Sequence, residues 1–463
     1  MLKSTLNTTT FFLYGFFATL PLVGYGLPIH GIFTIQISHL FASVLIIGMF
    51  LTLNRRQVLY KCPVSYLMIL FFSICGLSVL SAGFQSVEKV GSEVQWVRSF
   101  KQLTGLAFMI LIYFSIITHV NTGHKFRGCL NIYLFSALLV SLIGIYQFIS
   151  IYLDLNLPFD RSLPINNLSI GGTGTWSGQW RGLPRVSSTL IEPAYLGDYL
   201  VTVIPIILAG IFLKEYFFTK SSQNFLIVAA VYLCVLISTF SRAPYLGLIS
   251  AIIVMIAVSS NFNLTRTLAK IIKLSFVLII VGFLFTFLLK SNLLEITIAR
   301  LLSLADENDY SVMERTSKTV TAINIFKAYP FLGVGYGNFG FYYLDYTPQS
   351  IGFDHIKDLH RFEAAHNLYG QLIAETGIIG FIAFCLMAIL TFREGLRTYR
   401  QTASKFFKVT SLGLISAFAG YLVVLLSADF IYILPFMWVL MGFIVAQRRL
   451  HYKLEAARRI CDY

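Results

Sequence analysis

The sequence predicts an all-α fold, a polytopic membrane-embedded helical bundle of about twelve spans. Composition, the length of the apolar runs and the placement of the basic residues all lead there. Of the 463 residues, 57% are hydrophobic and 12% charged, with a mean hydropathy of +0.75. A soluble chain carries about 25% charged residues. Backbone in lipid must satisfy its own hydrogen bonds, which leaves helices or a closed barrel. Barrel strands would alternate over about ten residues, whereas the apolar runs here are continuous and about 20 residues long.

Those runs place spans near 10–28, 32–53, 64–84, 102–120, 129–152, 193–213, 223–240, 244–260, 272–290, 368–391, 409–428 and 430–447 of one membrane domain, 1–463. The first run follows Lys3 and lacks a small-residue cleavage site, so it is expected to be retained. Every even-numbered exit is basic. Arg55, Arg56 and Lys61 follow span two, Lys125 and Arg127 span four, Lys214 and Lys220 span six, and Arg266, Lys270 and Lys273 span eight. Arg393, Arg397, Arg400, Lys405 and Lys408 follow span ten, and Arg448, Arg449, Lys453, Arg458 and Arg459 close the chain. Basic connections are retained in the cytoplasm, so both termini are expected there. The formal charge of +14 therefore reflects topology, and no nucleic-acid partner is expected. The six cysteines fall in spans or on the cytoplasmic side, with no CxxC pair or Cys/His cluster to suggest a disulfide framework or a metal site.

Two odd-numbered exits are long, 153–192 and 291–367, and are expected on the outer face. The first contains GGTGTWSGQW, with Trp176 and Trp180; the second contains a predicted helix, 311–328, with Val312, Thr316, Val320, Ile323 and Phe326 along one face. Loops this long are usually functional or disordered, and patterned aromatics and glycines argue against disorder.

Four stretches on that same side bear chemistry-capable side chains. In SRAPYLGL, Ser241 can cap and Pro244 can open a helix, setting the Arg242 guanidinium beside a positive helix N-terminus. Such a place suits a phosphate or diphosphate; pairing with lipid headgroups is the plainer reading of Arg242 alone. In ERTSKTVTAINIFKAYPFLGVGYGNF, Arg315, Ala322 and Phe326 share a helical face before Pro330 and a turn built on Gly333, Gly335 and Gly337. That glycine turn allows close approach to a ligand or another helix, and without a strand before it the dinucleotide reading is set aside. HRFEAAHNLYGQLIAETGIIG brings His360, Arg361, Glu363 and His366 to the start of a span; a histidine there can serve as general base or as a structural residue. RGLPRVSSTLIEPAYLGDYL brings Arg181, Arg185 and Glu192 to another helix start, where Glu192 can cap its helix or orient an acceptor hydroxyl. Cations, a histidine, a glutamate and tryptophans suited to stacking on sugars describe a site for an anionic, glycan-bearing lipid.

In this order RVSSTLIEPAYLGDYL, SRAPYLGL, R-x6-A-x3-F-x3-P-x2-GVGYGNF and AHNLYGQLIAETGIIGF resemble the O-antigen ligase and O-antigen polymerase superfamily of bacterial membrane glycosyltransferases, over about Arg185 to Phe381. The resemblance implies a C-type glycosyltransferase-like fold that moves a glycan from undecaprenyl diphosphate to an acceptor on the outer face of the inner membrane, with no cofactor and no metal. The acceptor it implies is another carrier-linked repeat unit in polymerases and lipid A core in ligases; a chain-length regulator is a further candidate partner. It assigns Arg242 and Arg315, joined by Arg185, to the diphosphate and His366 to catalysis, with Glu192 as the rival base. Trp176, Trp180 and Arg361 are candidates for contacting the glycan. The EPA sequence at Glu192 to Ala194 favours the polymerase; the lack of paired R-x10-G loops keeps the ligase open. A lipid-linked oligosaccharide flippase is the competing class, and it would carry charges in mid-span.

Overall fold

The computed structural model describes residues 2–23, 26–29, 33–53, 62–83, 94–152, 179–180, 183–218, 221–259, 310–348, 364–428 and 434–461. They form a helical bundle: α1 (Leu2–Thr19), α2 (Ile37–Leu53), α3 (Pro63–Ala82), α4 (Gln95–His119), α5 (Gly123–Tyr152), α6 (Pro193–Leu213), α7 (Ser222–Ser238), α8 (Arg242–Val258), α9 (Tyr310–Ala328), α10 (Phe339–Tyr346), α11 (Leu368–Gln401), α12 (Lys405–Val424) and α13 (Phe436–Cys461). Two short antiparallel hairpins interrupt it, β1 (Gly26–Ile29) with β2 (Phe33–Gln36), and β3 (Gln179–Trp180) with β4 (Leu183–Pro184).

Among the described residues, six helices are long and apolar enough to cross a membrane: α3, α4, α5, α6, α11 and α12; α2, α7 and α8 are shorter apolar helices. Predicted spans 64–84 to 244–260, 368–391 and 409–428 coincide with α3 to α8, α11 and α12. The first span is displaced. The α1 helix ends at Thr19, whose hydroxyl donates to the Gly15 carbonyl at 2.8 Å, and Pro21 and the β1–β2 hairpin occupy the rest of the predicted run. Proline and glycine punctuation outweighs apolarity there. The last helix likewise starts after Pro435, at Phe436. The predicted span 272–290 lies outside the described residues.

Small residues bring the central helices together, as expected where lipid removes the hydrophobic drive between helices. A Cβ on Gly247 of α8 would stand 2.8 Å from the Gly420 carbonyl oxygen of α12, and one on Gly413 of α12 2.6 Å from the Ile206 Cα of α6. At the α6–α8 contact, a Cβ on Gly197 would meet Pro244 at 2.5 Å.

The described part of the second long loop packs on the bundle. Its predicted helix is present as α9, and the glycine turn after it is buried against α3, α4 and α11. Val334 N donates to Ala374 O and Gly335 N to Glu375 O, both at 3.0 Å, while Ile378 N reaches back to Pro330 O at 2.9 Å. The Glu375 carboxylate accepts from Phe339 N and Gln371 Nε2, each at 3.1 Å. On the other side Tyr336 N donates to Ser78 Oγ at 3.1 Å and Ser99 Oγ to Asn338 Oδ1 at 2.8 Å. The α11 helix kinks to receive this turn. Gly377 has φ 61 and ψ −166, a region open to glycine alone, and a Cβ there would lie 2.2 Å from the Phe331 carbonyl oxygen.

Gly377→Ala is therefore expected to abolish the yield of monodisperse protein in detergent, whereas Gly76→Ala, whose Cβ would meet nothing within 4 Å, should leave it unchanged. Equal size-exclusion profiles for the two variants would show that the kink is not needed.

Candidate functional site

The site is built on helix starts and on one inserted segment. Residues 185–190 run into the bundle beside α5 and the α7–α8 turn. Gln147 Oε1 accepts from Ser187 N at 3.2 Å and Ser188 N at 2.8 Å, and Ser188 Oγ donates to Val140 O at 2.7 Å. Gly144 makes room for it: a Cβ there would touch Val186 at 3.2 Å. Val186 N donates to Ser238 O at 3.1 Å. The end of the predicted loop 153–192 is thus buried rather than solvated, because its backbone groups find partners on α5 and α7.

This insertion delivers Arg185 to the α7–α8 turn. Its Nε donates to Thr239 O at 3.0 Å and its Nη2 to Ser241 Oγ at 2.9 Å. The turn is sharp, with Phe240 at φ 46, and Arg242 opens α8 in a buried position. Ser241 does not cap α8 as the sequence suggested; its hydroxyl accepts from Arg185 and donates to Thr239 O at 3.3 Å. Arg242 therefore keeps its place at a helix N-terminus, where backbone N–H groups and dipole favour an anion.

Glu192 is the N-cap residue of α6, yet its side chain does not bond its own helix. His366 precedes Asn367, which is the true cap of α11: Asn367 Oδ1 accepts from Tyr369 N at 3.1 Å and Gly370 N at 3.4 Å. His366 itself sits at φ 49, a left-handed conformation that histidine adopts more readily than most residues at about 1–2 kcal/mol. Leu368 N, donating to the Leu425 and Ala428 carbonyls at 3.0 Å, and Tyr369 OH, donating to Leu422 O at 2.7 Å, anchor this start on the end of α12. Arg315 lies exposed on α9, whose Ala322 would touch a Cβ on Gly370 at 3.4 Å. The arginine and the HN pair thus belong to two packed elements.

Electrostatics joins these groups. Burial pushes the Arg185 pKa down; Tyr245 and Glu192 raise it, and Arg242 and Arg315 lower it. Glu192 is open at the surface, yet the protein behind it raises its pKa against the opposing influence of His366 and Arg185. Of the predicted site residues, Arg185, Glu192, Arg242, Arg315 and His366 therefore act on one another through space. Trp176 and Arg361 lie outside the described residues, as do Arg181, His360 and Glu363. Trp180 is in β3. Two residues went unnoticed in the sequence: Lys318, buried one helical turn after Arg315, and Asp198, buried in α6. An ionisable residue inside a predicted span was the signal for Asp198.

The opposite end of the bundle holds the basic exits. Arg127 lies 4.7 Å over the Phe406 ring, Arg449 Nη1 donates to Ile117 O at 2.8 Å, and Arg448 pairs with Glu394 at 3.3 Å.

Residues 227–385 match the family model described as O-antigen ligase. The match covers about a third of the chain. The match supports the superfamily resemblance read from the motifs. No curated protein matches the chain. The matched O-antigen ligase segment includes Arg242, Arg315 and His366; Arg185 and Glu192 precede it.

Arg185→Lys is expected to lower the thermal midpoint in detergent, since one ammonium cannot replace both the Nε and Nη2 bonds, and hydrogen bonds from a charged group contribute about 1.5–3 kcal/mol. An unchanged midpoint would show that the turn holds its shape without that tether.

Proposed function

We propose that the protein transfers a glycan from a polyprenyl diphosphate, undecaprenyl diphosphate being the expected carrier, to an acceptor hydroxyl on the outer face of the bacterial inner membrane. The observation that supports this most is the mutual electrostatic influence of Arg185, Arg242, Arg315, Glu192 and His366, drawn from separate stretches of sequence to one end of the bundle, within and beside a domain of a glycan-transfer family. The basic exits at the opposite end favour twelve spans with both termini cytoplasmic.

In this reading the acceptor oxygen attacks the anomeric carbon, the bond to the diphosphate oxygen breaks, and the electron pair leaves with the diphosphate. The leaving group is already a stable anion. What it needs is its growing charge held by fixed cations, supplied by Arg242 at its helix N-terminus, Arg315 and Arg185. His366 takes the acceptor proton, beside Glu192, whose pKa His366 lowers. A base and a leaving group on opposite faces of the sugar give inversion. The chemistry assigned to these residues requires no metal or cofactor.

The acceptor we assign is the glycan of a second carrier-linked repeat unit, making the protein a polymerase; the acidic N-cap residue at Glu192, uncommitted to its own helix, supports it. The ligase reading, with lipid A core as acceptor, draws on the description of the matched family. Gene deletion followed by gel separation of the cell's lipopolysaccharide separates them. Core capped by one repeat unit is the polymerase outcome, bare core with polymer retained on the carrier is the ligase outcome, and an unchanged pattern rejects both.

Arg242→Ala and Arg315→Ala are each expected to reduce transfer about 10²–10³-fold, and His366→Ala about 10²–10⁴-fold, with normal membrane insertion. Wild-type glycan chains from either arginine variant would sink the diphosphate role. Full activity in His366→Ala with none in Glu192→Ala would move the base to Glu192. EDTA should not inhibit; loss of activity restored by a divalent ion would overturn the metal-free chemistry.

A further inference from the structure

The segment that carries the glycine turn exposes an apolar ring where a loop in water would expose polar groups. Phe331, which follows Pro330 directly, is 70% exposed. Its carbonyl oxygen stands 3.5 Å from Ile379 N, so the residue sits level with the kink in α11. From that level inward, α11 exposes Ile379, Ile382, Leu386 and Ile389, a spacing that sets them on one face of a helix long and apolar enough to cross a membrane. Phe331 stands at the head of that face. Two other candidate spans reach the same level. Ser78 Oγ, near the end of α3, accepts from Tyr336 N at 3.1 Å, and Ser99 Oγ, at the start of α4, donates to Asn338 Oδ1 at 2.8 Å. Beside these contacts Leu80 is exposed on α3, while Trp96 and Phe100, one turn apart on α4, are 72% and 67% exposed. Lys327, one turn before Phe331, is exposed, and Lys101, next to Phe100, is half-buried.

Helix lengths fix the depth of this patch. The α12 helix is about 30 Å long, the thickness of a bilayer core, and Leu368 is bonded just past its end. Beyond the kink, Ile378 to Gln401 of α11 already covers about 36 Å. The first turns of α11, Leu368 to Thr376, therefore run along the membrane surface instead of adding to the span. The α9 helix follows them in parallel, with Ala322 at Gly370 and Pro330 O accepting from Ile378 N.

We propose that Phe331, Trp96 and Phe100 form an interfacial anchor that inserts into bulk phospholipid at the headgroup–acyl boundary on the site's side of the membrane, which is the outer leaflet where the basic exits are cytoplasmic. Continuity with the exposed apolar face of α11 selects lipid as the partner, since that face and Phe331 meet at one level. Charge agrees: Lys101 and Lys327 lie where ammonium groups on apolar stems reach the phosphates of anionic headgroups. Aromatic side chains concentrate at this boundary. The anchor sets the height of α9 over the bilayer, because the turn that carries Phe331 closes that helix.

The test uses the full-length protein in vesicles of phosphatidylethanolamine and phosphatidylglycerol, free of polyprenyl lipid, with nitroxide-bearing phospholipid as quencher. Trp176→Phe with Trp180→Phe leaves Trp96 beside the buried Trp438, and adding Trp96→Phe supplies the signal to subtract. Trp96 emission is expected to fall at least about twofold further with nitroxide near the glycerol end of the chain than near the methyl end, as a depth of about 5–10 Å requires, and to resist iodide. Phe331→Trp in the Trp96→Phe background should behave alike. Phe331→Cys carrying a spin label, a smaller change read against labelled wild type, should collide with oxygen more than with a nickel chelate. Iodide quenching at Phe331→Trp, or collision dominated by nickel, would put the turn in water and overturn the proposal. Protection from iodide and lipid nitroxide alike would mean that protein covers the patch, and lipid quenching that appears only after a polyprenyl phosphate is added would assign it to a carrier's tail; either result rejects bulk lipid as the partner. None of these readouts uses transfer activity, so they stand apart from the glycan-transfer reading.

Discussion

The interlock between the glycine turn and the kink in α11 is the constraint on which the site depends. Backbone bonds run in both directions across it, from Val334 and Gly335 to Ala374 and Glu375, and from Ile378 to Pro330. The Glu375 carboxylate fills the gap by accepting from Phe339 N. Buried polar backbone of this kind needs protein partners, and here each irregular segment satisfies the other. The turn follows directly on α9 and the kink lies within the first turns of α11. Fixing one against the other sets Arg315 and His366 in a common frame, although 51 positions separate them in the sequence.

Much of the bundle was legible because lipid imposes a simple rule. Apolar runs of spanning length became helices α3 to α8, α11 and α12, and the helix in the second long loop appeared over nearly its predicted residues. The rule failed where local chemistry outweighed hydropathy, as at Pro21 and Gly26, where an apolar run turns into a hairpin. Arg185, Glu192, Arg242, Arg315 and His366 were singled out from sidedness, since charges expected on the outer face need a reason. Roles within it were less legible. Ser241 had the right type and position for a cap, but whether its hydroxyl faces its own helix or Arg185 depends on residues 187 and 188 docking on Gln147, a contact across 40 positions. The buried fate of residues 185–190 was hidden for the same reason.

Gathering three arginines at one end of a bundle is unfavourable in the resting protein: Arg242 and Arg315 both push the Arg185 pKa down. A fold that tolerates this must offset the repulsion locally or await an anion. Glu192 supplies part of the offset from the surface. A dianionic ligand would complete it, so the resting repulsion becomes differential affinity for a diphosphate over a neutral glycan. The same arrangement would suit the proposed transfer, in which charge grows on a leaving diphosphate.

The arginines are not equivalent within this arrangement. Arg185 already spends Nε and Nη2 on Thr239 and Ser241, so it can offer an anion only the N–H groups left on the other edge of its guanidinium. Its main effect is to fix the turn from which α8 starts, with Phe240 left-handed and Arg242 at the first helical position. Arg242 then acts with the helix N-terminus behind it, a combination of backbone N–H groups and guanidinium suited to one phosphoryl group. Arg315 comes from a different element and is the most exposed of the three. The segment bearing Arg185 precedes the O-antigen ligase match, yet it shapes the turn inside it. The local structure of the matched segment therefore depends on residues that precede it.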